Sequence, residues 1–398
     1  MPTSFQIKGV GMKKMLSFIT MVMFLVICSS CSGTKENVVT DTSYDINMWP
    51  KWSADICRNK TGYYIAGESF IYTMENGTIM ALCNKADCTH NDKNCNAYLE
   101  NIQKQTIWYD GNKLYVVAGE IRGAYYVYEI ETDGSGSKKI CELFQTAGIK
   151  SFGITCNYKD GYAYYILDLQ TTSDITRGIY SQKLYRLKLE ADAEPELLYE
   201  NEDKSVSTSF GRCYFYEDDM YVVVNKRTAS GNGSTSVLYR YSIKEDVMAP
   251  FLDKFVYYYF VTKNTLYYTT DDGIHQYILD KNEDALFYED PAFSSAMYFD
   301  GTYIYLDDSW YQAAQEEHSD KVNIYILNLE GKLCKKLSLD WGSDILYGDG
   351  NSLVVKNVYN PKEGSPYATS KYSFYDKGQI ENGGEEWTYI EMEIRTVE

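Results

Sequence analysis

The chain has 398 residues, a formal net charge of −18 and only 7 prolines. Acidity of this size, spread without a long acidic run, excludes nucleic-acid binding through backbone charge and argues against lying flat on anionic lipid. Tyrosine supplies 40 residues, a residue suited to half-buried sheet surfaces with its ring inside and its hydroxyl near water, and no segment sustains the 3.6-residue period of a helix.

The chain opens with a secretory pattern. Lys13 and Lys14 precede a nearly unbroken apolar run, Met15 to Cys28, followed by Ser29-Ser30-Cys31-Ser32-Gly33. The run is long enough for a signal-peptide core and too short for a membrane-spanning helix, and Met12 makes a natural start. Ser29-Ser30-Cys31 resembles the lipobox of bacterial lipoproteins. The resemblance implies cleavage before Cys31, a diacylglyceryl group on that cysteine, and a position on the extracytoplasmic face of the cell membrane. Two acyl tails suffice for stable anchoring where one would be marginal. An ordinary cleaved signal without lipid is the alternative. Residues 1–30 thus read as a signal peptide, 31–52 as a polar tether and 53–398 as one domain.

From Tyr63 onward the sequence repeats. An aliphatic residue, Tyr and then alternation recur at Val127-Tyr128, Leu184-Tyr185, Leu238-Tyr239 and Ile324-Tyr325, with weaker copies around Met80, His275 and Tyr372. The anchors lie 36 to 57 residues apart. A turn leads into an apolar strand before each copy: Asp110-Gly111, Asp160-Gly161, Asp218-Asp219, Asn264-Thr265, Asp300-Gly301 and Asp349-Gly350. Glycine accepts positive φ without a Cβ clash, which suits tight hairpins. Each unit reads as four antiparallel strands, the content of a β-propeller blade. The expectation is an all-β propeller of seven four-stranded blades, with six or eight possible. Trp387 to Ile394 would be the last outer strand, unless the ring closes by pairing terminal strands within one blade.

Leu266-Tyr267-Tyr268-Thr269-Thr270-Asp271 is similar to the YWTD motif of low-density-lipoprotein-receptor-type propellers. More broadly, Tyr-rich units behind a lipobox resemble propeller-bearing lipoproteins of Gram-positive anaerobes. The resemblance covers roughly residues 53–398 and carries over no catalytic residue.

The one constellation with specific chemistry is Cys83-x4-Cys88-x-His90-x4-Cys95, in a loop spanning 83–95. The repeat alignment sets Cys83 just past the third strand of the first unit, so the loop would replace the turn before an outer strand. Three cysteines and a histidine have the ligand number of a closed structural zinc site. A disulfide within the loop, with the odd cysteine pairing Cys57, is the alternative that export favours. A free-thiol cluster is the third reading. Cys141, Cys156, Cys213 and Cys334 stand singly in strand-like contexts and read as small apolar residues.

No nucleophile or phosphate-loop motif is evident. His275 fills a slot that Tyr takes elsewhere, and His318 falls in a polar insertion. Among carboxylate pairs, Asp218-Asp219 and Asp271-Asp272 fall at turns, where Asp bonds locally. Asp307-Asp308-Ser309-Trp310-Tyr311 sets an aromatic beside acids, as a sugar platform would. The leading functional reading is a non-catalytic binding module for a surface protein, peptide or glycan. Its ligand-facing loops would be the connections around Ile121-Arg122, 170–181 and 228–236. The alternative is an extracytoplasmic glycosidase or lyase using carboxylates at the propeller axis.

Overall fold

A computed structural model describes residues 55–393, apart from 76, 173–179, 202, 204, 229–233, 253, 255, 257, 290–295, 310–319, 349 and 360–368. Cys31 and the tether therefore lie outside the described residues, as do Trp310, Tyr311 and His318.

Seven antiparallel sheets follow one another along the chain. Their blades span 56–81, 103–145, 151–199, 206–252, 259–289, 296–340 and 344–393, each running from an inner to an outer strand. In the fourth blade the innermost position is split into Val206–Phe210 and Tyr214–Tyr216, both paired with Asp219–Thr228. The predicted turns at Asp110-Gly111, Asp160-Gly161, Asp218-Asp219, Asn264-Thr265 and Asp300-Gly301 join the first and second strands of their blades, and Asp349 lies outside the described residues. At two of them, and at the first blade's turn after Asn59, one side chain accepts two successive backbone N–H groups: Asn59 from Thr61 and Gly62, Asp110 from Asn112 and Lys113, and Asp300 from Thr302 and Tyr303. This local bonding is why Asx residues recur at the inner turn.

The core lies between blades, and tyrosine builds much of it. Tyr125, Tyr164, Tyr165, Tyr241, Tyr268, Tyr305, Tyr372 and Tyr375 are among the largest fully buried side chains. A buried phenol needs a partner, and several find one in a backbone carbonyl or carboxylate. Tyr375 donates to Gly384 O at 2.9 Å, and Tyr268 to Asp284 at 2.8 Å. Others clasp adjacent blades. Tyr158 of the third blade donates to Thr106 O of the second at 2.9 Å, and Tyr259 of the fifth accepts Val223 N of the fourth at 2.9 Å.

The ring closes without a shared blade. The seventh is built wholly from 344–393, with Trp387–Glu393 as its outer strand. Its innermost strand, Asp344–Gly348, meets the first blade's, Ile56–Arg58. Side chains seal that seam: Tyr63 packs on Phe374 at 5.6 Å, Lys356 pairs with Asp55, and Tyr372 donates to the same carboxylate at 3.4 Å.

One register differs from the sequence reading. Met80 lies on the outer strand Thr78–Ala81, and the third strand is Ile71–Glu75, so Tyr72 is the first blade's anchor. Ile79-Met80-Ala81-Leu82 imitates the repeat because an outer strand carries the same alternation. The loop 83–95 therefore follows a complete blade and leads to the second.

Candidate metal centre and its surroundings

The metal-ligating atoms of Cys83, Cys88, His90 and Cys95 all lie within 4.8 Å of one another. His90 Nδ1 stands 3.5 Å from Cys95 Sγ. In a tetrahedral site with Zn–S of about 2.3 Å and Zn–N of about 2.0 Å, that edge measures about 3.5 Å, so this spacing fits. The cluster could bind a metal. All eight described cysteines are free thiols, and Cys57 is buried in the first blade's inner strand opposite Tyr64.

Tight turns set the ligands. Cys88 N bonds Lys85 O at 3.3 Å and Cys95 N bonds Asp92 O at 3.2 Å. His90 adopts φ 55, a left-handed conformation uncommon for a side-chain-bearing residue, which marks a loop constrained around that position. Burial would raise the Cys83 thiol, but N–H groups of Lys85 and Asn96 and the thiols of Cys95 and Cys88 outweigh it and bring it down. Burial pushes Cys95 up, against the N–H of Ala97. Backbone donors two residues beyond Cys83 and Cys95 are suited to a thiolate ligand shell.

The loop has little core of its own. Asn84 to Asn94 are exposed except Cys88, which is half-buried. The chain just after it is anchored: Ile71 N bonds Ala97 O and Leu99 N bonds Ser69 O, both at 3.0 Å. Its start docks on the second blade, where Gly134 O accepts Asn84 N at 3.1 Å and Asn96 Nδ2 at 2.9 Å. Gly134 has φ +75, and a Cβ there would fall 2.9 Å from the backbone nitrogens of Cys83 and Asn84. Only glycine allows that approach. This glycine, which the sequence shows only as part of a hairpin turn, is a site residue that motif reading missed.

A cleft of about 830 Å³ opens beside the cluster at the outer margin of the first blade. Cys83 and His90 share its lining with residues of the outer strand, the Thr132-Asp133 turn and Glu391. No motif signals it, because its walls come from three distant stretches.

The other candidate residues are engaged locally. Asp219 pairs with Arg240 at 2.5 Å. Asp272 meets His275 Nε2 at 3.0 Å. His275 also lies 3.4 Å from Asp284, off the hydrogen-bond direction at Nδ1, and stacks on Tyr268 at 5.3 Å. Asp307 accepts Tyr298 OH at 3.1 Å and Ser309 N at 3.1 Å, while Asp308 accepts the backbone and side-chain nitrogens of Asn323 at 2.7 Å each. Cys141, Cys156 and Cys213 are buried as expected, and Cys334 is half-buried. Of the proposed ligand-facing connections, 173–179 and 229–233 fall outside the described residues, while Ile121 is 72% exposed. An element invisible to motif reading is the ion pair of Lys377 with Asp300 at 2.5 Å, both nearly fully buried.

No family profile matches the sequence, and no curated protein sequence does. Solved structures do resemble the fold. A puromycin hydrolase aligns with a TM-score of 0.51 at 10% identity over 85% of this chain and 54% of its own, so the chain spans about half that enzyme's length. The WD40 domain of SCAP from fission yeast aligns at 0.40 and 11% identity, covering 88% of this chain and 89% of its own. BamB from Moraxella catarrhalis aligns at 0.36 and 9%, covering 77% and 94%. At these identities the likeness bears on the fold alone: this chain is a seven-bladed β-propeller.

Proposed function

We propose that the protein is a lipid-anchored, extracytoplasmic interaction module of the Tyr-rich propeller lipoprotein type, tethered through Cys31. The observation that carries the non-catalytic reading is the state of the carboxylates. Asp219, Asp272, Asp307 and Asp308 are each committed to a cation, a histidine or backbone and hydroxyl donors, an arrangement that rigidifies turns and offers no poised acid–base pair. A rigid ring of loops and blade edges is then what is displayed. The Cys83-Cys88-His90-Cys95 cluster takes a structural zinc ion in this reading, because three thiolates and an imidazole close the coordination shell and leave no position for substrate. Zinc would hold a loop that apolar packing does not.

Three measurements test this. Replacing Cys31 by Ala is expected to release the protein from the membrane fraction; retention would refute the anchor. Native mass spectrometry is expected to find one zinc per chain, lost on denaturation with the three cluster thiols free; a bridge surviving denaturation would refute the metal. Cross-linking on intact cells should capture a surface partner, whereas turnover of any substrate in a glycoside panel would replace this reading with the enzymatic one.

A further inference from the structure

The cleft beside the metal loop has an unusual relation to the first blade. Thr73 and Met80 are cross-strand partners and share one face of the sheet, while Tyr72 and Ala81 share the other. Both pairs line the cleft. The void therefore wraps around the outer edge of Thr78–Ala81 and does not lie on one face of the blade. Leu82 N donates to Ile71 O at 2.9 Å, toward the third strand. By the alternation of an antiparallel ladder, Met80 also points its backbone inward, and Ile79 turns its N–H and C=O toward the cleft. Ala81 O is taken by Cys83 N at 2.8 Å, so Ile79 presents the outward donor–acceptor pair. Met80, 52% exposed, adds an apolar surface beside that edge. The lining carries the carboxylates Asp133 and Glu391 and no lysine or arginine.

We infer that this cleft captures an extended, basic polypeptide segment of another protein, which adds a strand to the edge Thr78–Ala81. Main-chain bonds to Ile79 supply the register, and lysine or arginine side chains answer Asp133 and Glu391. A second copy is the less suitable occupant, because it would bring two chains of net charge −18 together at an acidic cleft. The inference rests on the interaction-module reading and names the chemistry of its partner.

The probe is a short, dye-labelled alternating lysine–valine peptide, followed by fluorescence anisotropy with the full-length protein. Its affinity should fall about tenfold or more when alternate backbone nitrogens are methylated, and similarly when glutamate replaces lysine. Ile79→Pro removes the outward N–H at an edge position where proline is tolerated, and should abolish binding with an unchanged circular dichroism spectrum. The double change Asp133→Asn and Glu391→Gln should weaken binding severalfold and flatten its salt dependence. The methylated peptide tests the same bond without altering the protein, so a misfolded variant would not blur the result. Absent binding of the lysine peptide, equal binding of the methylated one, or an Ile79→Pro-sensitive dimer instead of a peptide complex would each overturn the inference. A cell-surface partner captured equally by wild type and Ile79→Pro would overturn the strand-addition site and leave the interaction-module reading standing.

Discussion

The ring and the loop 83–95 are held by different physics. In the ring, apolar and tyrosine side chains from neighbouring blades bury one another, and buried phenols such as Tyr158, Tyr268 and Tyr375 find hydrogen-bond partners. The loop buries little: its stretch from Asn84 to Asn94 is exposed apart from Cys88, and its most compact feature is the set of four potential ligand atoms gathered within 4.8 Å. A blade can lean on two neighbours, whereas a connection at the outer margin has one neighbour and water. Coordination can fix such a segment where hydrophobic burial cannot.

The largest expected effect comes from disrupting the ring at Lys377. Its pairing with Asp300 is nearly fully buried, so Lys377→Ala leaves a buried carboxylate with hydrogen bonds but no countercharge and should cost about 3 kcal/mol in urea unfolding. Lys377→Met with Asp300→Asn should restore part of that loss; if Lys377→Ala is neutral, the pair is not a strut of the core. Gly134→Ala attacks the junction between ring and loop. The clash with Cys83 and Asn84, together with φ +75, should cost about 1–3 kcal/mol, read in the same assay.

Acid titration gives a smaller effect. Asp284 resists the upward push of burial because Lys254, Tyr268 and His275 hold its carboxyl below the ordinary 3.8. Its contribution is thus complete above that value and lost as pH falls through the lower folded value. Asp284→Asn should remove this part of the acid slope, by less than about 1 kcal/mol, in denaturation curves between neutral pH and pH 2.

The smallest effect on the ring should come from the loop itself. Chelation or Cys88→Ser should shift the melting temperature by no more than about 2 °C, while protease cleavage within 84–94 rises on the order of tenfold. A collapse of the whole ring on chelation would show that loop and core are one cooperative unit and erase the distinction.

Much of the ring is legible in sequence because its signals are local. Asp110 and Asp300 accept hydrogen bonds from residues two and three positions on, so the inner turns are visible as short motifs. The three cysteines and His90 also fall within one short stretch, and their proximity needs no long-range contact to be suspected. The first blade was harder. Outer and third strands share the same alternation, and only pairing shows that Tyr72 sits opposite Ala81 and that the loop follows a finished blade. Gly134 reads as an ordinary hairpin glycine until Cys83 is placed against it.

By itself the sequence determined the class of fold, the spacing of its units and the grouping of three cysteines with a histidine, because periodicity, turn chemistry and composition act over a few residues. Only the tertiary structure decided how the ring closes, which carboxylates are engaged, and where an edge strand meets an acidic cleft. Those properties depend on residues as distant as Asp55 and Lys356, or Met80 and Glu391, and chain folding alone determines which of them meet.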